Sequence, residues 1–308
     1  MQPTEAEPSA PRIADLSEGI AYVDGRFVPV GEARVPILDW GFLRSDATYD
    51  VVHVWKGRFF RLDDHLDRFQ RGMARLRMDP GLDRAAIRSV LVDCVRRSGL
   101  RDAYVEMICT RGMPRPGSRD PRLAQNRFSA FAIPFVWIAD LEKQEAGLHL
   151  VVSRTERIPP EAVDPTVKNY HWLDLTAGLF DAYERGGDTA VLTDRDGNVV
   201  EGPGFNIFMI RGGKLATPAA GVLEGITRRT ALDIAAELGL AVEERALPAD
   251  EVRTADEVFL TSTAGGIMPV TRVDGAVLGD GTPGAVTRRL RARYWAMHED
   301  SRFTSAVR

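Results

Sequence analysis

One lysine of this chain lies where a surface cation would not be expected. The sequence has 40 basic side chains, and four of them are lysines, at positions 56, 143, 168 and 214. Lys168 alone has an apolar and aromatic setting, between Val167 and the pair Tyr170 and Trp172. Arginine stays charged in proteins, whereas a desolvated lysine can lose its proton and form a Schiff base with a carbonyl group. We therefore predict that Lys168 is a nucleophile, with a lysine snorkelling from the end of a strand as the alternative.

Three segments in the second half of the chain suit an anionic, aromatic ligand. Gly-Ile-Thr-Arg at 225–228 predicts a helix start, where free N–H groups, the positive end of the helix dipole and a hydroxyl suit a phosphate. The glycine turn at 261–266 offers hydroxyls and a backbone that an anion can approach closely. Glu201, before Gly-Pro-Gly, could face an aromatic nitrogen. Singly these are an ordinary helix cap and turn residues, but together with a Schiff-base lysine they are what pyridoxal phosphate requires.

Length and composition limit the classes of protein that remain. With 308 residues and 44% hydrophobic content, the chain can bury a full core and favours two domains over one. A net charge of −4 gives no basic footprint for nucleic acid. No apolar run approaches the roughly 20 residues of a membrane helix, and the start lacks a signal region, so we expect a cytoplasmic protein. Cys94 and Cys109 have apolar neighbours and no paired spacing, which predicts reduced core thiols and no metal site.

The first half of the chain predicts strands and helices in alternation. Turn dipeptides at 24–25 and 56–57 indicate two hairpins. A helix is expected after Asp63 or Asp64, either of which could cap it, and another over roughly 84–98. Strands are expected at 103–110 and 128–133. The loop of residues 111–121 between them has three prolines, two glycines and three arginines, and loops of this length are more often functional or mobile than plain connectors.

The predicted fold class is α+β with two domains. Residues 1–17 are expected to be a flexible tail, residues 18–136 a small N-terminal α/β domain, and residues 137–147 a linker. Residues 148–308 are then a larger domain that binds the cofactor. This second domain is expected to hold a helix over 173–185 and strands at 148–152, 189–193 and 205–210.

The motifs resemble those of the fold-type IV pyridoxal phosphate enzymes, the class IV aminotransferases. They are Asp-Pro-Thr-Val-Lys-Asn at 164–169, Glu-Gly-Pro-Gly-Phe-Asn at 201–206, Gly-Val-Leu-Glu-Gly-Ile-Thr-Arg at 221–228 and Thr-Ala-Gly-Gly-Ile-Met-Pro at 263–269. Within that family the chain is most similar to the (R)-selective amine transaminases, through segments 41–50, 59–65 and 291–297. The resemblance spans roughly residues 18–300. It implies a pseudo-barrel for the larger domain and a homodimer with the active site at the interface.

The resemblance also assigns roles to residues. Lys168 would form the Schiff base and shuttle the proton, and Glu201 would pair with the pyridine nitrogen. The phosphate would be bound by Arg68, Ile226, Thr227 and Thr263. The substrate side would be formed by Tyr49, Trp172, Ala264 and Arg44. A mobile arginine of the loop at 111–121 would receive a substrate carboxylate, with Arg119 the better match and Arg115 the alternative.

The implied activity is a ping-pong transamination from an (R)-amine to a keto acid such as pyruvate. Arg44 stands where the (R)-amine transaminases usually have histidine, so D-amino acids could compete as donors unless Arg44 points to solvent or to an acid. Leu173 replaces the usual tyrosine five residues after the lysine, which argues against the branched-chain L-amino acid subgroup. A D-amino acid transaminase, a lyase of the aminodeoxychorismate type and a non-catalytic binding protein remain as alternatives.

Overall fold

The structure, a computed structural model, describes residues 19–307. The predicted flexible tail of residues 1–17 lies outside the described residues. Within them the chain forms two β-sheets with helices packed against them. The helices are α1 (Trp40–Arg44), α2 (Leu62–Arg75), α3 (Arg84–Ser98), α4 (Leu141–Ala146), α5 (Leu173–Glu184), α6 (Ile226–Glu237), α7 (Ala249–Arg253) and α8 (Ala285–Ala296). The α+β fold class is therefore confirmed.

The first sheet has seven antiparallel strands and belongs mainly to the N-terminal part of the chain. The strands are β1 (Ile20–Val23), β2 (Arg26–Pro29), β3 (Ala47–Trp55), β4 (Arg58–Phe60), β5 (Ala103–Met113), β6 (Gln125–Pro134) and the C-terminal β18 (Thr304–Ala306). Their order across the sheet is β18-β4-β3-β5-β6-β1-β2. The buried faces of α2 and α3 form one core with this sheet, centred on side chains such as Leu66, Phe69 and Leu91.

Both predicted hairpins of this sheet are confirmed. Asp24 and Gly25 have φ of 50° and 75°, and Lys56 and Gly57 have φ of 51° and 78°. Positive φ at both central residues is the backbone of a tight two-residue hairpin turn, whose twist matches that of the flanking strands. Glycine at the second position adopts it without strain. Local turn chemistry thus sets the register of β1 with β2 and of β3 with β4.

The second sheet has eleven strands and curls around the core of the larger part of the chain. The strands are β7 (Leu148–Glu156), β8 (Thr189–Thr193), β9 (Asn198–Val199), β10 (Glu201–Gly202), β11 (Phe205–Arg211), β12 (Lys214–Thr217), β13 (Val242–Glu244), β14 (Leu247–Pro248), β15 (Glu257–Ser262), β16 (Gly266–Val273) and β17 (Ala276–Val277). Their main order is β13-β12-β11-β15-β16-β7-β8-β9-β14, with β10 on β11 and β17 on β16. The pairs β7/β8, β7/β16 and β12/β13 are parallel and the others antiparallel.

Helices cover this sheet where its apolar face would otherwise be exposed. α6 and α8 pack on β15 and β16, in a core that buries Phe208, Phe259, Ile234 and Leu290. α5 packs on β7 and β8 through Leu175 and other side chains. The helix predicted over 173–185 and the strands predicted at 189–193 and 205–210 are confirmed to within a residue at their ends.

Three local expectations differ from the structure. α2 is not capped by Asp63 or Asp64: it begins at Leu62, after Arg61 in the left-handed conformation with φ 53°. The Arg61 guanidinium donates to the carboxylates of Asp64 and of Asp233 on α6, so Asp64 pairs with a side chain and does not cap the helix. β5 runs to Met113, which moves the arginine-bearing loop to residues 114–124. The predicted linker contains the helix α4.

The chain end returns to the first sheet, since β18 pairs with β4. The division into residues 18–136, 137–147 and 148–308 stays a prediction. Cys94 and Cys109 are both buried and unpaired, and burial raises the pKa of each thiol to about 12. They are core thiols, as expected. No described helix combines the length and the apolar character that crossing a membrane demands.

Candidate active site

A cavity of about 510 Å³ opens between the two sheets. Its walls come from β3, β5 and β6 on one side and from loops and strand ends of the second sheet on the other. The predicted site residues that line it are Tyr49, Arg68, Lys168, Trp172, Glu201, Ile226, Thr227, Thr263 and Ala264. The structure therefore brings the predicted nucleophile, acid and phosphate ligands into one cavity. Arg44, Arg115 and Arg119 do not line it.

Lys168 enters the cavity from the segment between β7 and α5, and its main chain is held against β3. The Tyr49 N–H and the Thr48 hydroxyl both donate to the Lys168 carbonyl, at 3.1 and 2.9 Å. The Lys168 amine lies 4.5 Å from the centre of the Tyr49 ring. It forms no ion pair with a carboxylate of the described residues. The amine thus lies at the cavity on a main chain that is fixed to β3.

The other three lysines lie at the surface and are paired. Their side chains are between 53% and 62% exposed. Their partners are Glu299 for Lys56 at 2.7 Å, Asp188 for Lys143 at 2.6 Å and Glu243 for Lys214 at 3.3 Å. The distinction drawn between Lys168 and these three side chains from the sequence is reproduced by their surroundings.

Glu201 lies at the start of β10, buried at the floor of the cavity. One carboxylate oxygen accepts from the Leu223 N–H at 2.9 Å, and the other accepts two long bonds from Arg157 at 3.3 Å. Arg157 also donates to Asp174 at 2.7 Å. Burial raises the pKa of Glu201, and Arg157 and the Leu223 N–H oppose this rise. Arg157 therefore favours the ionised form of Glu201, the form that its predicted role requires.

Arg68 is held in place by a buried carboxylate. Its Nε and Nη2 donate to the two oxygens of Asp50 at 2.7 and 2.8 Å, and its Nη1 donates to the Glu224 carbonyl at 3.0 Å. His65 Nδ1 lies 2.8 Å from Asp50. Burial alone would raise the pKa of Asp50, but Arg68 and His65 outweigh it and lower this pKa. A permanently ionised Asp50 thus fixes the guanidinium beside the start of α6.

The start of α6 has the features of an anion-binding site. Gly225 is its N-cap, and no side chain caps the helix. The first N–H groups, those of Ile226 and Thr227, are therefore available to a ligand. A Cβ atom at Gly225 would lie 2.1 Å from the Asn206 side-chain oxygen, so a larger residue does not fit. Asn206 in turn donates to the Leu223 carbonyl at 2.9 Å, which ties this turn to β11.

The turn between β15 and β16 supplies hydroxyls opposite the helix start. The Ala264 N–H donates to the Ser262 hydroxyl at 3.2 Å, and the Ala264 carbonyl accepts from the Ile138 N–H at 2.8 Å. Thr263 lines the cavity within this turn. The Thr261 hydroxyl is buried and has no hydrogen-bond partner among the described residues. A buried hydroxyl of a cavity wall without a partner indicates a polar ligand group.

Aromatic rings form the opposite side of the cavity. Tyr49 and Tyr170 are stacked, with ring centres 4.3 Å apart. The Tyr170 and Tyr104 hydroxyls donate to the two oxygens of Glu106, at 2.6 and 3.3 Å. Burial raises the pKa of Glu106, against the effects of the Tyr170 hydrogen bond and the charge of Lys168. This side of the cavity thus presents tyrosine faces backed by a buried acid.

The three predicted substrate arginines lie outside this cavity. Arg44, on α1, stacks its guanidinium 3.6 Å from the centre of the Trp40 ring. It lines a neighbouring cavity of about 370 Å³. Arg115 and Arg119 are exposed in the loop of residues 114–124, and neither has an ion-pair partner among the described residues. The substrate roles of these arginines stay predictions.

Sequence reasoning missed several buried partners of the site. These are Asp50, His65, Glu106, Arg157 and Tyr170. Arg157 had no local signal, because its partner Glu201 is 44 positions away. His65 and Arg68 did carry a local signal. Residues three apart on a helix share a face, and two basic side chains on one face indicate an acid nearby.

The cavity fits pyridoxal phosphate. An unpaired amine, a buried acid stabilised by a cation, and an uncapped helix start beside a fixed guanidinium are the three functions that its aldehyde, ring nitrogen and phosphate require. The unpartnered Thr261 hydroxyl adds a polar contact that such a ligand could supply.

Known sequences are similar to this chain over most of its length. A family model described as amino-transferase class IV matches residues 47–273. The chain is 32% identical over 275 residues to a putative branched-chain-amino-acid aminotransferase of Methanocaldococcus jannaschii, covering 89% of this chain and 94% of that protein. It is 30% identical over 272 residues to the D-alanine aminotransferase of Bacillus licheniformis, covering 87% of this chain and 93% of that protein.

Solved structures show the same fold. The branched-chain aminotransferase of Thermoproteus uzoniensis with norvaline superposes with a TM-score of 0.86 at 29% identity, covering 94% of this chain and 99% of that one. The branched-chain amino acid aminotransferase of Thermobaculum terrenum in its pyridoxal phosphate form gives a TM-score of 0.83 at 28% identity, covering 94% of this chain and 98% of that one. The second of these neighbours therefore holds the cofactor that the cavity fits.

Proposed function

This chain belongs to the amino-transferase class IV family, whose cofactor is pyridoxal phosphate, and we propose that it transfers an amino group from an (R)-amine to a keto acid such as pyruvate. The two half-reactions share one site, so the kinetics are of the ping-pong type. When bound, the cofactor supplies a ring that withdraws electrons from the carbon bearing the amino group.

Different residues of the cavity hold the aldehyde and the phosphate of the cofactor. The Lys168 amine anchors its aldehyde. Arg68, the N–H groups of Ile226 and Thr227 and the hydroxyl of Thr263 hold its phosphate. The placement of Arg68 by Asp50 and the uncapped start of α6 support this assignment, because they concentrate positive charge and free donors at one end of the cavity.

Lys168 and Glu201 are the side chains of this protein that take part in the reaction. The Lys168 Nζ would take a proton from the substrate carbon and deliver it to the cofactor carbon that carried the aldehyde, and the second half-reaction would run the same transfer in reverse. Hydrogen bonds from Tyr49 and Thr48 fix the main chain of Lys168, and this keeps its amine next to the tyrosines of the cavity. Arg157 favours the ionised form of Glu201, which would hold a ring nitrogen of the cofactor protonated and so sustain electron withdrawal.

The choice of donor rests on one observation, which is that the arginines of the cavity are already paired with acidic side chains. The arginines among the described lining residues are Arg68 and Arg157. Arg68 is bound bidentately by Asp50, and Arg157 by Asp174 and Glu201. The wall facing Lys168 is aromatic and apolar instead, formed by Tyr49, Tyr104 and other side chains. A donor without a carboxylate, such as an arylalkylamine, therefore fits this wall better than an amino acid does.

A keto acid still needs a cation to bind its carboxylate, and we assign this cation to an arginine of the loop of residues 114–124. Arg119, with Arg115 as the alternative, is exposed and unpaired within the described residues of its own chain. β5, the strand that leads into this loop, contacts α1, since the Thr110 hydroxyl of β5 donates to the α1 cap Asp39 at 2.9 Å. On and before α1 large apolar side chains are exposed, among them Ile37 at 72% and Phe42 at 68%. Their burial in a homodimer would deliver the loop of one chain to the cavity of the other.

A D-amino acid is the second candidate donor. The similarity to the Bacillus licheniformis D-alanine aminotransferase favours it, as does the unpaired state of Arg115 and Arg119 among the described residues. A D-amino acid would present the same hand of amine as an (R)-amine and place its carboxylate on the loop arginine. The two donors therefore differ in their dependence on that arginine.

A donor panel tests the proposal. Both enantiomers of 1-phenylethylamine and of alanine, together with L-leucine, are supplied to the enzyme with pyruvate or 2-oxoglutarate, and each half-reaction is followed by cofactor absorbance. We expect (R)-1-phenylethylamine to exceed its enantiomer by at least about tenfold, which corresponds to roughly 1.4 kcal/mol of discrimination. Lys168→Ala is the inactive control. If L-leucine were the best donor, the proposal would be wrong and a branched-chain activity would replace it.

A further inference from the structure

Glu106 of β5 is a buried acid that is held by tyrosines. Its residue is 8% exposed, and it forms no ion pair with a cation of the described residues. Its oxygens accept from the Tyr170 hydroxyl at 2.6 Å and from the Tyr104 hydroxyl at 3.3 Å. The first distance is that of a charge-assisted hydrogen bond, whereas the second is long for a hydroxyl donor. Tyr170 is therefore the principal partner of this acid.

Tyr170 belongs to the segment that carries Lys168. It follows the lysine by two residues, and Asn169 between them forms an antiparallel bridge with Thr48 of β3. The Lys168 carbonyl accepts from the Tyr49 N–H and the Thr48 hydroxyl. These bonds fix the main chain, but the amine lies at the end of a flexible four-carbon stem. To hold the amine in one place, a contact with the side chain is needed as well.

The ring of Tyr49 provides this contact. The Lys168 amine lies 4.5 Å from the centre of the ring, which is within the range of a cation–π interaction. Tyr170 stacks on the same ring, with centres 4.3 Å apart and planes inclined by 3°. Two rings in parallel contact resist tilting, because a tilt of one would drive its atoms into the other. The orientation of the Tyr49 ring therefore depends on Tyr170.

The first sheet places Glu106 where it can hold Tyr170. Val51 of β3 lies directly opposite Glu106 of β5. Tyr49 is two residues from Val51, so Tyr49 and Glu106 lie on the same face of the sheet. β3 and β5 are interior strands of this sheet, with a neighbour on each side. The carboxylate that binds the Tyr170 hydroxyl is thus mounted on a rigid element.

We propose that Glu106 and Tyr170 are positioning residues for the Lys168 amine. The carboxylate holds the Tyr170 hydroxyl, the Tyr170 ring holds the Tyr49 ring, and the Tyr49 ring keeps the amine in reach of its reaction partners. Glu106 and Tyr170 are not among the described residues that line the cavity, so they act through Tyr49. The inference rests on the role of Lys168 given under the proposed function.

Loss of this support would leave the amine in the cavity but less often correctly oriented. Bonding of the amine to the cofactor aldehyde and proton transfer by the amine both depend on that orientation. Binding of the cofactor ring and phosphate does not depend on it. The two positioning residues should therefore affect those ligands that react with the amine, and no others.

The test compares two forms of the cofactor in the full-length protein. Pyridoxal phosphate has the aldehyde that bonds to Lys168, whereas pyridoxamine phosphate has an amine in its place and binds without that bond. The dissociation constant of each is measured by quenching of tryptophan fluorescence, since Trp172 lines the cavity. Tyr170→Phe keeps the ring and removes the hydroxyl, Glu106→Leu removes the acceptor, and the double variant closes the cycle.

Two further variants serve as controls. Glu106→Gln keeps an oxygen that can accept from the Tyr170 hydroxyl but loses the charge. Tyr22→Phe is matched to Tyr170→Phe, since Tyr22 packs against Phe27 in the first sheet, outside the described residues that line the cavity.

We expect Tyr170→Phe and Glu106→Leu each to weaken pyridoxal phosphate roughly five- to twentyfold, and pyridoxamine phosphate not at all. Glu106→Gln should lie between Glu106→Leu and the wild type, and Tyr22→Phe should equal the wild type. The double variant should lose no more than either single variant. With the donor that the wild type uses fastest, Tyr170→Phe should lower kcat by about tenfold and leave KM within about twofold.

The outcomes separate the inference from the proposed function. Equal losses for the two cofactor forms would show that the pair merely supports the fold, and would overturn the inference. Normal pyridoxal phosphate affinity in Tyr170→Phe, or additive losses in the double variant, would also overturn it, while Lys168 kept its role. If Lys168→Ala bound pyridoxal phosphate as tightly as the wild type does, the role of Lys168 would be wrong and the inference would fall with it.

Discussion

Replacing Arg157 by methionine should disable the enzyme through Glu201 and destabilise it through Asp174. The Arg157 guanidinium is 11% exposed and lies 2.7 Å from Asp174, itself 8% exposed. Removing one partner of a buried ion pair costs about 3 to 5 kcal/mol, because the other charge stays buried. Asp174 keeps hydrogen bonds from the N–H groups of Ile158 and Leu175, each at 2.8 Å. We therefore expect the low end, a loss of about 3 kcal/mol in the free energy of unfolding.

The effect on activity has a different signature. Arg157 opposes the rise in the pKa of Glu201 that burial causes, so its loss raises this pKa further. The proposed role of Glu201 requires its ionised form, so activity should be lost as pH falls through that pKa. The acid limb of the turnover profile should therefore move to higher pH in Arg157→Met. At pH 7 we expect turnover to fall by about tenfold, the value of one ionic hydrogen bond of roughly 1.4 kcal/mol, with recovery at alkaline pH.

A matched control lies three residues earlier in the chain, near the end of β7. Arg154 of β7 is 78% exposed and pairs with Asp181 at 3.7 Å. Arg154→Met should change the free energy of unfolding by less than about 1 kcal/mol and leave the pH profile unmoved. Urea unfolding and steady-state turnover from about pH 6 to 9 measure both quantities. The reasoning is refuted if Arg157→Met and Arg154→Met behave alike, or if the loss of turnover in Arg157→Met is the same at every pH.

Three further predictions concern other groups. Glu201→Gln should retain bound cofactor but slow turnover strongly, as single-turnover absorbance would show; full turnover would remove Glu201 from its role. Arg119→Ala should weaken pyruvate and alanine by about 2 to 4 kcal/mol in specificity and largely spare 1-phenylethylamine, because only the acids lose a charge-assisted pair; equal losses in the half-reactions would transfer the role to Arg115 or Arg44. Burial lowers the pKa of His53 and of His298, and that of His298 falls from 6.5 to about 4. The unfolded chain therefore binds more protons than the folded one in this range, and the free energy of unfolding falls as pH drops from about 6.5 to about 4. Unfolding at about pH 7, 5.5 and 4.5 should show up to about 1.4 kcal/mol per pH unit for each histidine, with a shallower slope in His298→Gln; an unchanged slope in that variant would contradict the assignment.

Features encoded by adjacent residues could be predicted from the sequence. The hairpins at Asp24-Gly25 and Lys56-Gly57 depend on turn residues that tolerate positive φ, and both formed as expected. The start of α6 after Gly225 is a local signal too, since a glycine there and no capping side chain leave free N–H groups. Lys168 could be singled out because the sequence uses lysine so sparingly.

Features that depend on distant pairing could not be predicted. Arg157 reaches Glu201 across 44 positions, and no periodicity indicates this contact. Arg68 reaches Asp50 across 18 positions; the spacing of His65 and Arg68 indicates a shared helix face but does not identify Asp50 as its acid. Arg61, which precedes α2, likewise contacts Asp233 across 172 positions. Pairing of β18 with β4 likewise joins strands that are more than 200 positions apart, from Phe60 to Thr304. Long-range electrostatics thus completed a site whose parts were visible locally.

The central claim is that Lys168 anchors the cofactor. Borohydride reduction of the protein loaded with pyridoxal phosphate, followed by proteolysis and mass spectrometry, tests it directly. We predict a phosphopyridoxyl group on the peptide that contains Lys168, and its loss in Lys168→Ala. A modification found on Lys56, Lys143 or Lys214 instead would contradict the account.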